Sequence, residues 1–408
     1  MTDFRLHDDF PDRTRDDWHS LAEKGLRGAD FDTLISRTED GLTRGPLFDR
    51  DGRPDGHTAR SRTDTPHLEG RPWHICAPVT DPDLGFANAQ LLADLKGGAS
   101  AVRIDSKGVT RRADLKRLLE GVYLDLVPVV FAPDCQAAEH ALNLPDLTDA
   151  HVSLGLDPLR EKPDCPDPWR PFTANAAAIH EAGGTDALEL AGFAATTAEA
   201  FRRHGPALHQ QISVLLAVGP DAHLNIIKLR AARHIFAAIA DAFGVEKPTL
   251  PVHAITSLRM MQAQDAWTNM LRTMSAGFGA VTGGADYITV RPFTDTPHER
   301  RIGDATPFGY RVARNQQLLM MEESHLGHVR DVAYGSYFHE RLTEDLAQSA
   351  WQKFQSIEAQ GGIQAYASSG DFKADCDAAI QMRADADVPV LGVTLHPSDD
   401  VPAPEVRT

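Results

Sequence analysis

Hydrophobic positions change their spacing along this chain. Near the start, Trp18, Leu21, Ala22 and Leu26 recur at helical intervals, which predicts a short amphipathic helix over 16–26. Residues 37–46 read as turns. Residues 49–69 are rich in Gly, Pro and charge with almost nothing to bury, so they read as an extended arm. From about 71 to 395, short β-rich apolar runs alternate with longer helical stretches. Strands are expected at 73–79, 99–104, 125–132, 151–154, 171–174, 212–218, 250–256 and 286–290. Near-continuous runs such as LDLVPVVFA suit strands covered on both faces. Helices are expected between them at 87–95, 111–121, 136–142, 176–204, 223–243, 260–278 and 307–323, with a further one at 342–359 stopped by Gly361–Gly362. Eight strands with interleaved helices predict an α/β fold, a (β/α)8 TIM-type barrel, with an open doubly wound sheet as the alternative. The resulting division is an N-terminal helix and extended arm (1–70), the barrel with C-terminal helices (71–395) and a disordered tail (396–408) rich in acid and proline.

Composition narrows the function. The 408 residues carry a net charge of −17, which argues against nonspecific binding to nucleic acid or an anionic membrane. Cys76, Cys135, Cys165 and Cys376 are far apart and form no CxxC pair, so neither a disulfide framework nor a zinc cluster is expected. The polar N-terminus lacks a signal-peptide apolar region. No apolar run approaches the ~20 residues of a membrane span, so a cytoplasmic location is expected.

Motifs for common chemistries are missing. No GxGxxG follows a strand, and there is no P-loop, GxSxG or HExxH. Gly277, Gly279, Gly283 and Gly284 read as a helix stop and turn. His325 and His328 read as surface or capping residues. Arg103 and Asp105, flanking the end of the second strand, read as a local ion pair. His253 falls near the end of the seventh strand, where a barrel's ligands meet it; a core histidine and a ligand contact remain equally open there. In the helix NIIKLRAARHIFAAIADAF, Lys228, Arg230 and Arg233 form the densest basic feature: a solvated face, or a subunit interface or phosphate contact.

Eight segments carry a resemblance. They are KGLRGADFDTLISRTEDGL (24–42), RPWHI (71–75), HEAGGTDALELA (180–191), KLRAARHIF (228–236), AQDAWTNMLRT (263–273), GGADYITVRPF (283–293), RVARNQQLLMMEESHLGHVRD (311–331) and GSYFHERLTEDLAQSAWQKFQSIEAQGGI (335–363). In these residues, their order and their spacing the chain resembles the methylmalonyl-CoA mutase family, adenosylcobalamin-dependent carbon-skeleton mutases of acyl-CoA thioesters. The resemblance spans most of 15–395 and implies a (β/α)8 barrel.

The chain departs from the family's catalytic members where they do chemistry. Their tyrosine after RPW falls at or beside Pro78, and their Tyr-His pair falls at Ala177 and Ala178. A glutamine position reads as Ile255 and a histidine position as Val290. Alanine cannot donate the hydrogen bond that the histidine would give a thioester carbonyl. The stretch 132–170 is shorter than in catalytic members, and the cobalamin-domain signature DxHxxG is absent. GGADYITVRPF is most like the family's small, non-catalytic subunit.

The expected role is therefore a structural small subunit. Its partner would be a catalytic large subunit in a heterodimer, or a second copy in a homodimer. Adenosylcobalamin would be held by the partner, and no cofactor or metal by this chain. Residual acyl-CoA binding stays open. His253, Thr256, Ser257 and His180 are candidates for a vestigial pocket or CoA channel; Trp18, Arg71, Lys228, Arg230 and Arg233 are candidates for subunit contact. Two alternatives remain: an active acyl-CoA mutase component served by a separate cobalamin subunit, with His180 standing in for the lost histidine, and a stand-alone acyl-CoA-binding or assembly protein.

Overall fold

The computed structural model describes residues 13–50, 71–398 and 400–407. Eight parallel strands close into a barrel: β1 (His74–Val79), β2 (Ala101–Ile104), β3 (Val129–Phe131), β4 (Val152–Leu156), β5 (Arg170–Asn175), β6 (Ile212–Val218), β7 (Val252–Thr256) and β8 (Tyr287–Thr289), the last pairing with the first. All seven residues of β6 are buried, as a strand between a filled lumen and a helical coat requires. The (β/α)8 barrel expected from periodicity is the fold, and the sheet is closed rather than open.

Chain order supplies the coat: α2 (Leu84–Lys96), α3 (Arg112–Leu118), α4 (Ala137–Ala141), α5 (Ala177–Glu181), α6 (Asp186–His204), α7 (Ala222–Ala242), α8 (Asn269–Thr282) and α9 (Pro307–Leu318). The single helix expected over 176–204 is two, because Gly183 adopts a φ of +109 that an L-residue rarely adopts. A long α10 (Tyr337–Ala359) packs across α6 and α7, and two short helices, α11 (Ile363–Ser368) and α12 (Asp371–Asp385), follow. The glycine cluster of α8 serves packing: a Cβ on Gly279 would lie 2.7 Å from the Asn225 Cβ and 2.8 Å from the Ala222 carbonyl of α7.

The basic residues of α7 correct the expectation of a surface. Lys228, Arg230 and Arg233 are all buried, and each is spent on internal acids. Lys228 Nζ lies 2.8 Å from both Asp186 and Glu189. Arg230 reaches Glu340 at 3.0 Å and Asp331 at 3.3 Å, and Arg233 reaches Asp286 at 3.0 Å. These ions tie α7 to α6, α10 and β8, and none is presented to a partner. A buried cation without a counter-ion costs several kcal/mol, so the pairs are what allow α7 to sit inside.

The N-terminal segment divides. α1 (Arg15–Gly25), begun by a Thr14–Asp17 capping box, buries no residue. Trp18 rests edge-on against Phe31, 6.1 Å between ring centres. The segment 36–48, most of it read as turns, lies on its own barrel. Strands Ser36–Arg37 and Thr43–Arg44 form a ribbon. Within it Asp40 accepts from the Ala187 amide at the start of α6, Glu39 pairs with Arg383 at 2.7 Å, and Arg44 pairs with Asp221, the cap of α7. Phe48 packs on Phe338 at 5.2 Å. Most of the extended arm, 51–70, lies outside the described residues.

The tail expected to be disordered is docked over 400–407. Arg407 pairs with Asp81 at 2.5 Å and lies 3.4 Å over the Phe86 ring, its backbone bridges Asp304, and Trp267 donates to the Pro402 carbonyl at 2.8 Å. These partners follow β1, β7 and β8, so the tail borders the C-terminal mouth of the barrel. Among the described residues no helix is long and apolar enough to cross a membrane.

Candidate functional site

Strand alternation decides which side chains enter the lumen. In β1, Ile75 and Ala77 join the core between sheet and helices, whereas Cys76 clusters with Ala101, Val130 and Tyr287 inside the barrel. Pro78 shares the face of Cys76, and Arg103 that of Ala101, one step nearer the mouth. A second inner cluster, Ala177, Leu215, Ala217 and Ile255, fills the opposite wall. Ala178 is exposed. Of the residues that the resemblance sets at polar positions, Ala177 and Ile255 lie in this inner cluster and Pro78 shares the inner face of Cys76. On β8 the inward residue is Thr289, bonded to His253, while Val290 belongs to the outer core. Val290, the position given by the resemblance, therefore does not face the lumen.

Of the four pocket candidates, His180 and Ser257 are brought together; His253 lies deeper in the barrel, and Thr256 ends β7 on the face shared with Val252 and Ala254. His253 Nε2 is 2.7 Å from the Thr289 hydroxyl, and burial with help from Arg103 pushes its pKa down to about 3, so it stays neutral. Thr256 Oγ1 accepts the Arg291 amide. His180 Nε2 lies 3.0 Å from Ser257 Oγ, beyond the end of β7. Burial, then the charges of Lys228 and Arg259, hold this imidazole well below its ordinary range.

His180, Asp186 and Glu189 place one nitrogen and two carboxylate oxygens within 4.8 Å of one another. The Lys228 ammonium already bonds both carboxylates, so a lysine charge takes the place of a metal ion. Burial opposes that charge, but Asp186 and Glu189 outweigh it and hold Lys228 above the ordinary lysine range.

Sequence reasoning missed two residues at the mouth. Arg291 follows β8; its Nε donates to the Thr256 carbonyl at 3.0 Å. Asp295 lies in the next turn, and burial raises its carboxyl to about pKa 6 despite the nearby Arg291. Arg103, 5 % exposed, bonds Asp105 at 2.9 Å, as its spacing suggested. No motif marks Arg291 or Asp295; the one available signal was a charged residue just after a barrel strand. The site chemistry is thus ionic at the rim, aliphatic on the walls and without a free imidazole among these residues.

The family model for methylmalonyl-CoA mutase matches residues 164–393. The chain belongs to the methylmalonyl-CoA mutase family. It is 36 % identical to a methylmalonyl-CoA mutase small subunit of Streptomyces virginiae over 89 % of this chain and 66 % of that one. It is 31 % identical to the methylmalonyl-CoA mutase small subunit of Propionibacterium freudenreichii subsp. shermanii, over 89 % and 64 %. Against a probable methylmalonyl-CoA mutase small subunit of Mycobacterium tuberculosis (strain H37Rv) the identity is 37 %, over 78 % and 57 %. The chain thus spans a little under two thirds of these relatives.

Arg71 and Trp18, the remaining contact candidates, are half-buried. Arg71 Nη1 donates to the Gly98 carbonyl at 2.9 Å, holding the entry to β1 against that to β2.

Proposed function

We propose that this chain is a non-catalytic small-subunit component of a methylmalonyl-CoA mutase-type complex, an isomerase only at the level of the complex. The observation that carries the reading is the mouth of the barrel. Pro78 and Ala177 stand where the family's tyrosines would, and Ala178 where its histidine would. Arg103–Asp105, Arg291 and Asp295 put charge at a rim where a neutral radical needs an inert, shielded wall.

Adenosylcobalamin, when bound, supplies the carbon radical for such rearrangements. The groups at this mouth and in the lumen below it do not suit it. His180 and His253 are each engaged with a hydroxyl, and proline and alanine offer no polar side-chain atom. The cofactor is therefore assigned to a catalytic large subunit, with this chain as its partner. Bracing is the role left to the intact scaffold. A closed barrel clamped by buried ions is rigid, and α1 offers an uncommitted apolar stripe to a neighbour. Similarity to proteins named as small subunits supports the same reading.

Reconstitution with the large subunit from the same host tests the proposal. Methylmalonyl-CoA turnover with adenosylcobalamin is expected from the pair and absent from this chain alone. His180→Asn in the reconstituted pair is expected to leave turnover per folded complex unchanged. Loss of turnover in that variant would favour an active barrel with His180 as its substitute acid.

A further inference from the structure

We propose that the mouth of this barrel binds a small free oxyanion, a carboxylate or a phosphate, between the guanidinium groups of Arg103 and Arg291. The two residues reach the rim from β2 and from the end of β8, near neighbours across β1 in the closed barrel. Arg103 faces inward and is 5 % exposed; one edge of its guanidinium is bonded to Asp105, while its Nε is buried with no partner. Arg291 gives its Nε to the Thr256 carbonyl and has no carboxylate within ion-pair distance among the described residues. The two cations sense each other: burial first, then the charge of Arg103, weakens the hold of Arg291 on its proton. A buried donor without an acceptor is costly, and the half-buried Arg291 guanidinium, faced by Asp295, Glu181 and Asp105, is paired with none of them among the described residues. An oxyanion set between them satisfies both with charge-assisted bonds.

Asp295 adds a proton-dependent third contact. Its side chain makes no hydrogen bond among the described residues. Arg291, Asp304, Arg301 and Tyr310 are the charged or titratable groups that face it. Burial raises its pKa to about 6. Below that midpoint it is a neutral donor to the anion; above it, its charge opposes the anion. Affinity is therefore higher on the acid side, with a proton taken up on binding. The aliphatic clusters filling the lumen leave the rim as the place for a ligand, which favours a small one.

The test is calorimetric titration of the full chain with inorganic phosphate and, separately, with acetate, on either side of the Asp295 midpoint. Saturable binding is expected for at least one anion, stronger on the acid side. Preference for acetate identifies a planar carboxylate site and preference for phosphate a tetrahedral one. Arg291→Gln is expected to weaken binding roughly tenfold or more while retaining the wild-type unfolding midpoint in denaturant. Arg291→Lys, which keeps the charge but not the fork, is expected to fall between. Absence of saturable binding by either anion, an Arg291→Gln chain that binds as tightly as wild type, or affinity unchanged across the midpoint would overturn the proposal. None of these results bears on turnover by the reconstituted pair, so the two readings fail separately.

Discussion

Lys228 carries its charge with almost no water in reach, and two carboxylates 2.8 Å away make that tolerable. Substituting it with methionine keeps the volume and strands Glu189, which is fully buried. Lys228→Met is expected to lose about 3–5 kcal/mol of stability, measured by denaturant unfolding. A loss under about 1 kcal/mol would show that Glu189 finds another counter-charge. Asp40 offers a titratable contrast. Burial, then the charge of Asp186, raises its carboxyl to about 6 from 3.8. A raised acid pKa means that the docked ribbon holds the proton more tightly than the released one. Docking is therefore strongest below about pH 4, weakens as pH rises to about 6 and is constant above. Proteolysis of residues 36–44 should accelerate across that window, and Asp40→Asn should remove the dependence. These side chains were not legible in the sequence. Asp186, Asp286 and Glu340 lie 42, 53 and 110 residues from their partners, and helical periodicity carries no information about such pairs.

Elements were legible where burial imposes a period. β6 was read at its observed bounds, and the other barrel strands within a few residues, because each is apolar between polar turns. α12 escaped notice because it buries only Cys376 and Ala379, too little to write a stripe, and α11 is a six-residue turn. Close packing of α8 on α7 is testable at one atom. Gly279→Ala would push a methyl into the Ala222 carbonyl, with an expected loss of about 1–3 kcal/mol in thermal or denaturant unfolding. α1 belongs to the opposite extreme. It buries no residue and leaves Leu21 61 % exposed. Its amides should exchange rapidly in the isolated chain and slow on addition of the large subunit; equal exchange in both states would remove α1 from the interface.

For the whole molecule, an intact (β/α)8 scaffold carries a mouth of proline, alanine and a ring of ions, and under the proposed function these are replacements for reactive groups. The scaffold was legible because eight alternations of strand and helix survive in the hydrophobic pattern. The ionic rim was not, because Arg291 and Asp295 acquire meaning only when β8 closes against β1 and β7. The direct test is adenosylcobalamin-dependent conversion of methylmalonyl-CoA, measured for this chain alone and then with the proposed large subunit at equal protein. The account predicts no turnover alone and full turnover in the pair. Turnover by the isolated chain would contradict it.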